Sequence, residues 1–247
     1  MEAEEVKAYF DSENVVNYYT QAADNLGLWA SEEIILTHLF KQGDKLLELG
    51  CGVGRVSIGL YKLGYRNLLA TDYAPNMIKK ARILASAQDY IMPFSVCDAT
   101  DLEFEDNSFD GIIFAFNGFM QIPHAAKREQ ALSGILRVLR PGGCFVFTTH
   151  DRERSAHRNF WIAEKNRWET GMQKLDLNEF GDRSEITYNG THYMHVPTVS
   201  DIKSQIAKVG FKMETTAMRS ELSKESGQVE AFSDDCRFWV ARKPEIL

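Results

Sequence analysis

The sequence lacks three features that would assign it to other classes of protein. No apolar run reaches the roughly 18 residues of a membrane-spanning helix. The first residues, Met1–Glu5, are acidic, unlike the start of a secretory signal peptide. The cysteines are scattered and contain no C-x-x-C pair: Cys51, Cys97, Cys144 and Cys236. We therefore expect buried, reduced thiols in a cytoplasmic protein, without a disulfide framework or a bound metal.

Positive charge is also scarce. The chain has 28 Lys and Arg against 35 Asp and Glu, which gives a formal net charge of −7. No run of Lys and Arg exceeds two residues, so the chain would repel a nucleic-acid backbone unless folding gathered its basic side chains on one face. A nucleic-acid partner is therefore disfavoured, and a small molecule is the better expectation. With 247 residues, 44% of them apolar, one α/β domain with a substantial core is expected.

What the sequence does contain is an apolar strand that leads into a glycine-rich turn. Leu46–Leu49 precedes glycines at positions 50, 52 and 54, and an amphipathic segment follows. Glycine permits both the backbone angles of a sharp turn and the close approach of a ligand. The dinucleotide fingerprint needs a small residue three positions after its second glycine, but Arg55 stands there. The pattern that fits is E/D-x-G-x-G-x-G, which begins at Glu48.

Two further apolar runs end in aspartate. Asp72 lies about 20 positions beyond the glycines, where an acidic residue can accept hydrogen bonds from both ribose hydroxyls of a nucleotide. It could also cap the helix that Pro75 begins. Asp98 ends the next run, and nearby Asp101 is more typical of a solvated turn or helix cap.

Two more landmarks follow along the chain. Asp110 opens a strongly apolar run that closes at Asn117-Gly118. Ligands of open α/β sheets lie beyond the carboxyl ends of the strands, so these residues and Phe119 are candidates near the reacting centre. The alternative is that Asn-Gly simply forms a turn. At Arg140–Gly143, proline and glycine end a helix and a β-rich run starts.

Taken together, these landmarks resemble the class I S-adenosylmethionine-dependent methyltransferases over residues 43–149. The resemblance implies S-adenosylmethionine as cofactor, S-adenosylhomocysteine as product, and direct in-line methyl transfer to a small molecule. The cofactor-binding residues that it implies are Tyr19, Glu48, Gly50, Cys51, Gly52, Gly54, Arg55, Asp72, Tyr73, Met77, Asp98, Ala99, Asn117 and Gly118.

The resemblance also implies specific contacts for some of these residues. The Asp98 carboxylate would take the exocyclic amine of adenine, and the Ala99 N–H would meet a ring nitrogen. Met77 would lie against the ring or else belong to the core of its helix. Tyr18 and Tyr19 would reach the cofactor carboxylate or the acceptor, or would only pack the N-terminal segment onto the domain.

A general base is needed only if the acceptor stays protonated near neutral pH, and histidine titrates in that range. His124 follows Pro123 at the start of a helix, where capping is a sufficient explanation. His150 ends the fifth strand and faces the expected site. His150 is therefore the catalytic candidate.

The alternation of strands and helices predicts an α/β fold with a doubly wound, mostly parallel, Rossmann-like sheet of seven strands in the order 3-2-1-4-5-7-6. Five strands are expected near 45–49, 68–72, 92–97, 110–116 and 143–149, and the last two near 211–218 and 235–242. A polar loop at Lys224–Gly227 separates these two. We expect an N-terminal helical cap (1–42), in which Ser31 begins a helix as its N-cap, and a methyltransferase domain (43–247).

The domain contains a substrate-side insertion at 150–196. Its first part is locally basic: His150, Arg152, Arg154, His157, Arg158, Lys165 and Arg167. A solvated helix face explains such a pattern, and the alternative is an acidic acceptor held by one or two arginines. Asn189-Gly190 predicts a type I′ hairpin turn. His192 and His195 should point to opposite faces of a strand, which disfavours a shared metal.

Two other functions remain in view. An NAD(P)-dependent oxidoreductase is disfavoured by the glycine spacing and Arg55. A non-catalytic S-adenosylmethionine-binding protein would carry the same Glu48, Asp72 and Asp98. The N-P-P-Y tetrapeptide of many amino-directed DNA methyltransferases is absent from the segment around Asn117. We expect a monomer or a homodimer.

Overall fold

The computed structural model describes residues 1–154 and 156–245, so Ser155, within the predicted insertion, and the last two residues lie outside it. The described residues form nine strands: β1 (Leu46–Glu48), β2 (Leu68–Asp72), β3 (Phe94–Val96), β4 (Phe109–Phe114), β5 (Leu139–Thr149), β6 (Asp182–Thr187), β7 (Gly190–His195), β8 (Lys212–Met218) and β9 (Arg237–Arg242). They also form a 3₁₀ helix, Gly118–Gln121, and ten α-helices: α1 (Ala3–Asp11), α2 (Glu13–Leu26), α3 (Ala30–Leu39), α4 (Arg55–Lys62), α5 (Pro75–Ser86), α6 (Ala125–Val138), α7 (Arg158–Glu169), α8 (Val199–Val209), α9 (Arg219–Leu222) and α10 (Gly227–Phe232).

Seven strands form one sheet in the order β3-β2-β1-β4-β5-β9-β8. Strands β1 to β5 pair in parallel, whereas β9 is antiparallel to both β5 and β8. The predicted order is confirmed, because the hairpin β6–β7 forms a separate sheet. Strand order reverses between β1 and β4, and a crevice for ligands is expected at the carboxyl ends of these strands. Among the described helices, none is both long and apolar enough to cross a membrane.

Helices cover both faces of the central strands. Leu47 and Ile112 face a core that includes residues of α6 and α8, whereas Leu46 and Ile113 face a second core with α3 and α4. Successive side chains of a strand point to opposite faces, so a strand buried on both sides is apolar at every position. This packing fixes the strands whose ends form the site.

The Pro-Gly-Gly step differs in detail from the prediction. Helix α6 ends at Val138 and β5 begins at the next residue, earlier than the expected residue 143. The pairing of β4 with β5 shifts register between Phe109 and Gly111, so the step is absorbed as a bulge. A Cβ atom on Gly143 would lie 2.8 Å from the carbonyl oxygen of Arg140, which explains the glycine there.

The start of α3 corrects another prediction. The helix begins at Ala30, and Ser31 is not its N-cap. Instead the Glu225 carboxylate accepts hydrogen bonds from the backbone N–H groups of Ala30 (3.1 Å) and Ser31 (2.9 Å). A carboxylate at this end satisfies unpaired N–H groups and interacts favourably with the helix dipole. Glu225 lies in the loop predicted at Lys224–Gly227, between α9 and α10, and its side chain is buried.

The predicted hairpin is present, but its turn is of another type. Thr187 of β6 pairs with Gly190 of β7. Gly190 has a φ of 116°, whereas Asn189 does not have positive φ. A type I′ turn needs positive φ at both central residues, so the prediction is wrong. The positive φ at glycine alone fits a type I turn followed by a glycine bulge.

Candidate functional site

A cavity of about 380 Å³ opens at the carboxyl ends of the central strands, within the usual size range of ligand sites. It brings together nine of the predicted cofactor residues: Tyr19, Gly50, Gly52, Asp72, Tyr73, Met77, Asp98, Ala99 and Gly118. A smaller cavity of about 50 Å³ shares Tyr19, Gly50 and Gly52 with it and adds Glu48, Cys51 and Arg55. Gly54 and Asn117 line neither of these two cavities.

Asp72 joins the end of β2 to the glycine turn. One carboxylate oxygen accepts a hydrogen bond from the Gly52 N–H and the other accepts one from the Ala74 N–H, both at 2.8 Å. Burial raises the pKa of Asp72 to about 6, although these two hydrogen bonds act in the opposite direction. The carboxylate is oriented before any ligand arrives, and each oxygen retains a lone pair for a hydroxyl group.

Two positions of the turn, 50 and 52, are occupied by glycine for different structural reasons. Gly50 (φ 61°) and Gly52 (φ 56°) are both left-handed. A Cβ atom on Gly50 would lie 2.6 Å from a ring carbon of Phe114, whereas one on Gly52 would meet nothing within 4 Å. Gly50 is therefore required by packing. Gly52 faces open space, which is the arrangement expected where a ligand approaches the main chain.

Beside the turn, Glu48 and Arg55 belong to a buried charged cluster. Burial raises the pKa of Glu48 to about 7, against the opposing effects of the Ser57 hydroxyl bound to it and of Arg55. Arg55 forms two hydrogen bonds of 2.6 Å with the Glu32 carboxylate. The guanidinium also lies 4.4 Å from the ring centre of Trp29. With a further hydrogen bond of 2.8 Å to the Gly27 carbonyl oxygen, three of the five donors of Arg55 are used within the protein.

Gly54 and Cys51 support the turn from its inner side. Gly54 is the left-handed residue before α4 (φ 88°), and Cys51 packs in a core cluster with Ile58 and Ala70. Backbone conformation therefore explains the glycine at position 54, and core packing explains the cysteine at position 51. Their predicted cofactor contacts stay predictions.

The end of the cavity expected to receive adenine contains Tyr73, Met77, Asp98 and Ala99. One oxygen of Asp98 accepts hydrogen bonds from the backbone N–H (2.7 Å) and hydroxyl (2.8 Å) of Thr100. Its other oxygen has no such bond within the described chain and can accept one from an amine. Met77 is fully buried in a cluster with Val15 and Val16, and it also lines the cavity. Its position therefore agrees with both predicted roles, contact with the adenine ring and packing in the core.

Helix α1 covers the cavity and contributes three lining residues that the sequence did not single out: Ala3, Val6 and Lys7. Phe10, one of the aromatic residues of the N-terminal segment, lines the cavity as well. The Tyr73 hydroxyl donates to Glu4 at 2.6 Å, and the Asn76 N–H donates to Asp11 at 2.6 Å. These bonds attach α1 to the residues that follow β2. The resemblance to the methyltransferases implies that the N-terminal segment lies across the cofactor mouth, but no local motif in α1 predicts which of its residues line the cavity.

Asn117 and His150 meet at the ends of β4 and β5. The Asn117 side-chain nitrogen lies 3.3 Å from His150 Nε2, and the Asn117 N–H donates to Thr148 Oγ1 at 2.7 Å. Burial lowers the pKa of His150, and Arg219 and Arg183 contribute in the same direction. His150 lines neither of the two cavities just described, so its role as a base stays a prediction.

Aromatic rings continue from the cavity past the end of β4. Phe232 stacks between Tyr18 (ring centres 5.4 Å apart) and Phe116 (5.6 Å). Tyr19 packs edge-on against Phe116 at 6.1 Å, and Phe10 lies 6.2 Å from Tyr19. We call these five residues the aromatic wall. Three members of the wall, Phe10, Tyr19 and Phe116, also line the cavity.

Most of the basic residues in the first part of the insertion form ion pairs with acidic residues of the same chain. Arg152 pairs with Asp201, Arg154 with Glu221, Lys165 with Glu169, and Arg167 with Glu164. The other candidate base, His124, lies 3.3 Å from the Glu2 carboxylate and makes no side-chain cap bond to α6. These ion pairs fit the solvated-face interpretation of the basic segment.

A second titratable cluster lies under the hairpin. Glu179, Asp182 and His195 are close enough to share a metal ion. Asp182 already accepts hydrogen bonds from the Tyr193 hydroxyl (2.7 Å), and its contact with His195 is 2.9 Å. Glu179 pairs with the buried Arg128 at 2.8 Å. Hydrogen bonds and this ion pair account for the cluster as a structural network. His192 is not part of it and instead packs on Tyr9, as expected for opposite strand faces.

Comparisons with known proteins agree with this geometry. A family profile described as a methyltransferase domain matches residues 46–143. The demethylmenaquinone methyltransferase of Clavibacter sepedonicus is 33% identical over 104 residues, which cover 42% of this chain and 40% of that protein. The enzyme of the same name from Symbiobacterium thermophilum is 27% identical over 192 residues, 74% of each chain. The match to the first relative thus spans less than half of that relative's length.

The fold also matches solved structures. A SAM-dependent methyltransferase from Methanosarcina mazei superimposes with a TM-score of 0.69 at 18% identity, over 90% of this chain and 100% of the other. The family profile covers the glycine turn, Asp72, Asp98 and Asn117, which are the landmarks of the site. Residues 46–143 therefore match a methyltransferase domain, and the chain has the fold of a SAM-dependent methyltransferase of known structure.

Proposed function

We propose that this protein transfers the methyl group of S-adenosylmethionine to a small-molecule acceptor. The observation that carries the proposal is the cavity in which Gly52, Asp72 and Asp98 lie together. Asp72 is oriented to receive a ribose, and the open space at Gly52 admits a ligand against the main chain. Asp98 has a free carboxylate oxygen for the adenine amine. The residues present therefore fit this cofactor.

When bound, S-adenosylmethionine supplies a methyl group that its sulfonium sulfur already activates. The chain must then align the acceptor with that group and exclude water. Helix α1 and the aromatic wall provide apolar cover over the cavity. We assign the acceptor side to Phe116 and Asn117, because they follow β4, where the strand order reverses.

For the acceptor we propose a quinol or related hydroxylated aromatic compound. The aromatic wall supports this choice, because flat rings stack favourably on Phe and Tyr side chains. Two of the relatives are demethylmenaquinone methyltransferases by name, and this suggests the same broad class here.

We further propose that the acceptor carries acidic character. Arg219 is buried, and its Nη1 has no hydrogen-bond partner within the described chain; the same is true of Arg183 Nε. Both cations lower the pKa of His150, so their positive charge is felt at the residue that follows β5. Unpaired buried donors of this kind favour an anionic oxygen, such as a phenolate, nearby.

The remaining assignments are also proposals. We propose an N-terminal cap (1–42), a methyltransferase domain (43–247) and a substrate-side insertion (150–196), in a monomer or homodimer. The four cysteines are free thiols in the structure, which supports a reducing compartment such as the cytoplasm. The net charge of −7 supports a small molecule over a nucleic acid as partner.

The proposal is tested by calorimetry followed by turnover. S-adenosylmethionine should bind and NAD should not, and S-adenosylhomocysteine should form with members of a panel of hydroquinones and hydroxylated aromatic acids. Binding of NAD alone would contradict the proposed cofactor. Binding of S-adenosylmethionine without turnover of any acceptor would favour the non-catalytic alternative, whose binding residues are the same.

A further inference from the structure

Asn117 has a buried amide oxygen without a hydrogen-bond partner in the described part of the chain. Only 6% of the residue is exposed to solvent. Buried side-chain oxygens in folded proteins nearly always accept a hydrogen bond, so an unpaired one beside a ligand site indicates a missing partner. The neighbours of Asn117 on both sides, Phe116 and Gly118, line the cofactor cavity.

The other end of the amide is held by His150. The Asn117 nitrogen can only donate, so His150 Nε2, at 3.3 Å, accepts through its lone pair. The ring proton then resides on Nδ1, which lies 3.4 Å from the Asp235 carbonyl oxygen. Both contacts therefore require the same neutral tautomer of His150. That tautomer fixes the amide with its oxygen turned away from the imidazole.

The backbone around Asn117 is also held in an uncommon conformation. Phe116 (φ 49°) and Asn117 (φ 62°) are consecutive left-handed residues, and neither is glycine. Such a conformation is unfavourable for phenylalanine and persists only where the surrounding structure enforces it. The hydrogen bond from the Asn117 N–H to Thr148 Oγ1 contributes to that enforcement. Strain kept at the end of a central strand points to a functional position.

We infer that the Asn117 amide oxygen accepts a hydrogen bond from an O–H or N–H group of the methyl acceptor, and that His150 holds the amide in that orientation. This inference rests on the proposed function. Asn117 is then an acceptor-binding residue, and His150 is a positioning residue. In this arrangement His150 does not remove a proton from the acceptor, because its free lone pair is occupied by Asn117.

Protonation of His150 should undo the arrangement. A proton on Nε2 would face the Asn117 NH₂ group, and the amide would have to rotate and present nitrogen to the acceptor. The charges of Arg219 and Arg183 disfavour the His150 cation, whereas the contact with the Asp235 carbonyl and the charge of Asp234 favour it, and His192 lies within electrostatic reach. The desolvated ring has a lowered pKa, so the loss should appear only at acid pH, below the ordinary histidine pKa of about 6.5.

The test uses 1,4-naphthohydroquinone as probe and the protein saturated with S-adenosylhomocysteine. Asn117→Ala should weaken probe binding by about tenfold or more and leave the affinity for S-adenosylhomocysteine unchanged. The matched control is Asn107→Ala, because Asn107 is an exposed asparagine that is also left-handed (φ 53°). Unchanged probe binding by Asn117→Ala would overturn the inference.

His150 is tested with two variants and by its tautomer. His150→Gln supplies an oxygen that can accept from the Asn117 amide, so it should retain turnover and lose the acid-pH weakening. His150→Leu should raise KM more than it lowers kcat. Loss of turnover in His150→Gln would instead support a general base and overturn the positioning role. If the wild type bound no probe, the proposed acceptor class would be wrong. The tautomer of His150, measured by nitrogen-15 NMR, would still test this inference. A proton on Nε2 of His150 at neutral pH would overturn it.

Discussion

The Asp72 carboxylate accepts a hydrogen bond of 2.8 Å from the backbone N–H of Gly52. This bond joins the end of β2 to the middle of the glycine turn, and it brings the two most informative features of the sequence into one contact. The carboxylate is buried and fixed, so it can receive hydroxyl groups without first losing conformational freedom.

Binding of S-adenosylmethionine should depend on the ionisation of Asp72. Its pKa is raised to about 6, and only the ionised form can accept hydrogen bonds from both ribose hydroxyls. The Kd measured by calorimetry should therefore rise as the pH falls through about 6. Asp72→Asn should bind more weakly and lose this pH dependence. A wild-type Kd that stays constant from about pH 8 to about pH 5 would contradict the assignment.

The glycines at positions 50 and 52 should respond differently to alanine. Gly50→Ala places a Cβ atom against Phe114, so its unfolding free energy should fall by more than the roughly 1 kcal/mol expected from positive φ alone. Gly52→Ala has open space, so its stability loss should stay near that value while its affinity for S-adenosylmethionine falls strongly. Urea unfolding and calorimetry measure the two effects. Equal stability losses would contradict the packing argument.

Glu48→Gln should change how stability depends on pH. The folded-state pKa of Glu48 is about 7 against an ordinary value of 4.5, so the folded protein holds an extra proton between these limits. Stability from this group is therefore lost as the pH rises through that window. In the ligand-free protein, Glu48→Gln should gain stability relative to wild type from about pH 5 to about pH 8, by on the order of 3 kcal/mol. A difference that stays flat across this range would contradict the raised pKa.

Glu225→Ala should destabilise α3. The substitution removes the carboxylate that binds the N–H groups of Ala30 and Ser31, at an expected cost of about 1–2 kcal/mol in unfolding free energy. Glu230→Ala is the matched control, because Glu230 is exposed on the neighbouring helix α10 and carries the same charge. Similar melting temperatures for the two variants would show that the cap contributes little.

Phe232→Ala should weaken acceptor binding without affecting the cofactor. Phe232 stacks between Tyr18 and Phe116, so its removal opens the aromatic wall. The KM for a hydroquinone acceptor should rise by about tenfold, whereas the Kd of S-adenosylmethionine should stay within about twofold of wild type. An increase confined to the cofactor Kd would place the acceptor elsewhere.

The sheet was predictable because its signals are local. Each apolar run, its closing aspartate and the glycine turn are read from neighbouring residues, and the rules of parallel sheets then order the strands. The same reasoning assigns Gly52 and Asp72 to a nucleotide site, and the resemblance to the methyltransferases adds Asp98. The structure brings these three to one cavity.

The features that were not predictable depend on distant contacts. Glu225 lies 194 positions from Ser31, and no local pattern indicates that it caps α3. The resemblance implies that Arg55 binds the cofactor, whereas its pairing with Glu32 appears only when α3 packs beside α4. Asn117 and His150 were both candidates, but their hydrogen bond requires the ends of β4 and β5 to be adjacent.

The most direct test of the central claim is a calorimetric titration of S-adenosylmethionine into wild-type protein, Asp72→Ala and Asp101→Asn. Asp101 is an exposed aspartate in the turn after β3 and serves as the control. We predict that the wild type and Asp101→Asn bind with the same affinity and that Asp72→Ala binds at least about tenfold more weakly, because both ribose hydroxyls lose their acceptor. Equal affinity of Asp72→Ala and wild type, or no binding by the wild type, would contradict the account.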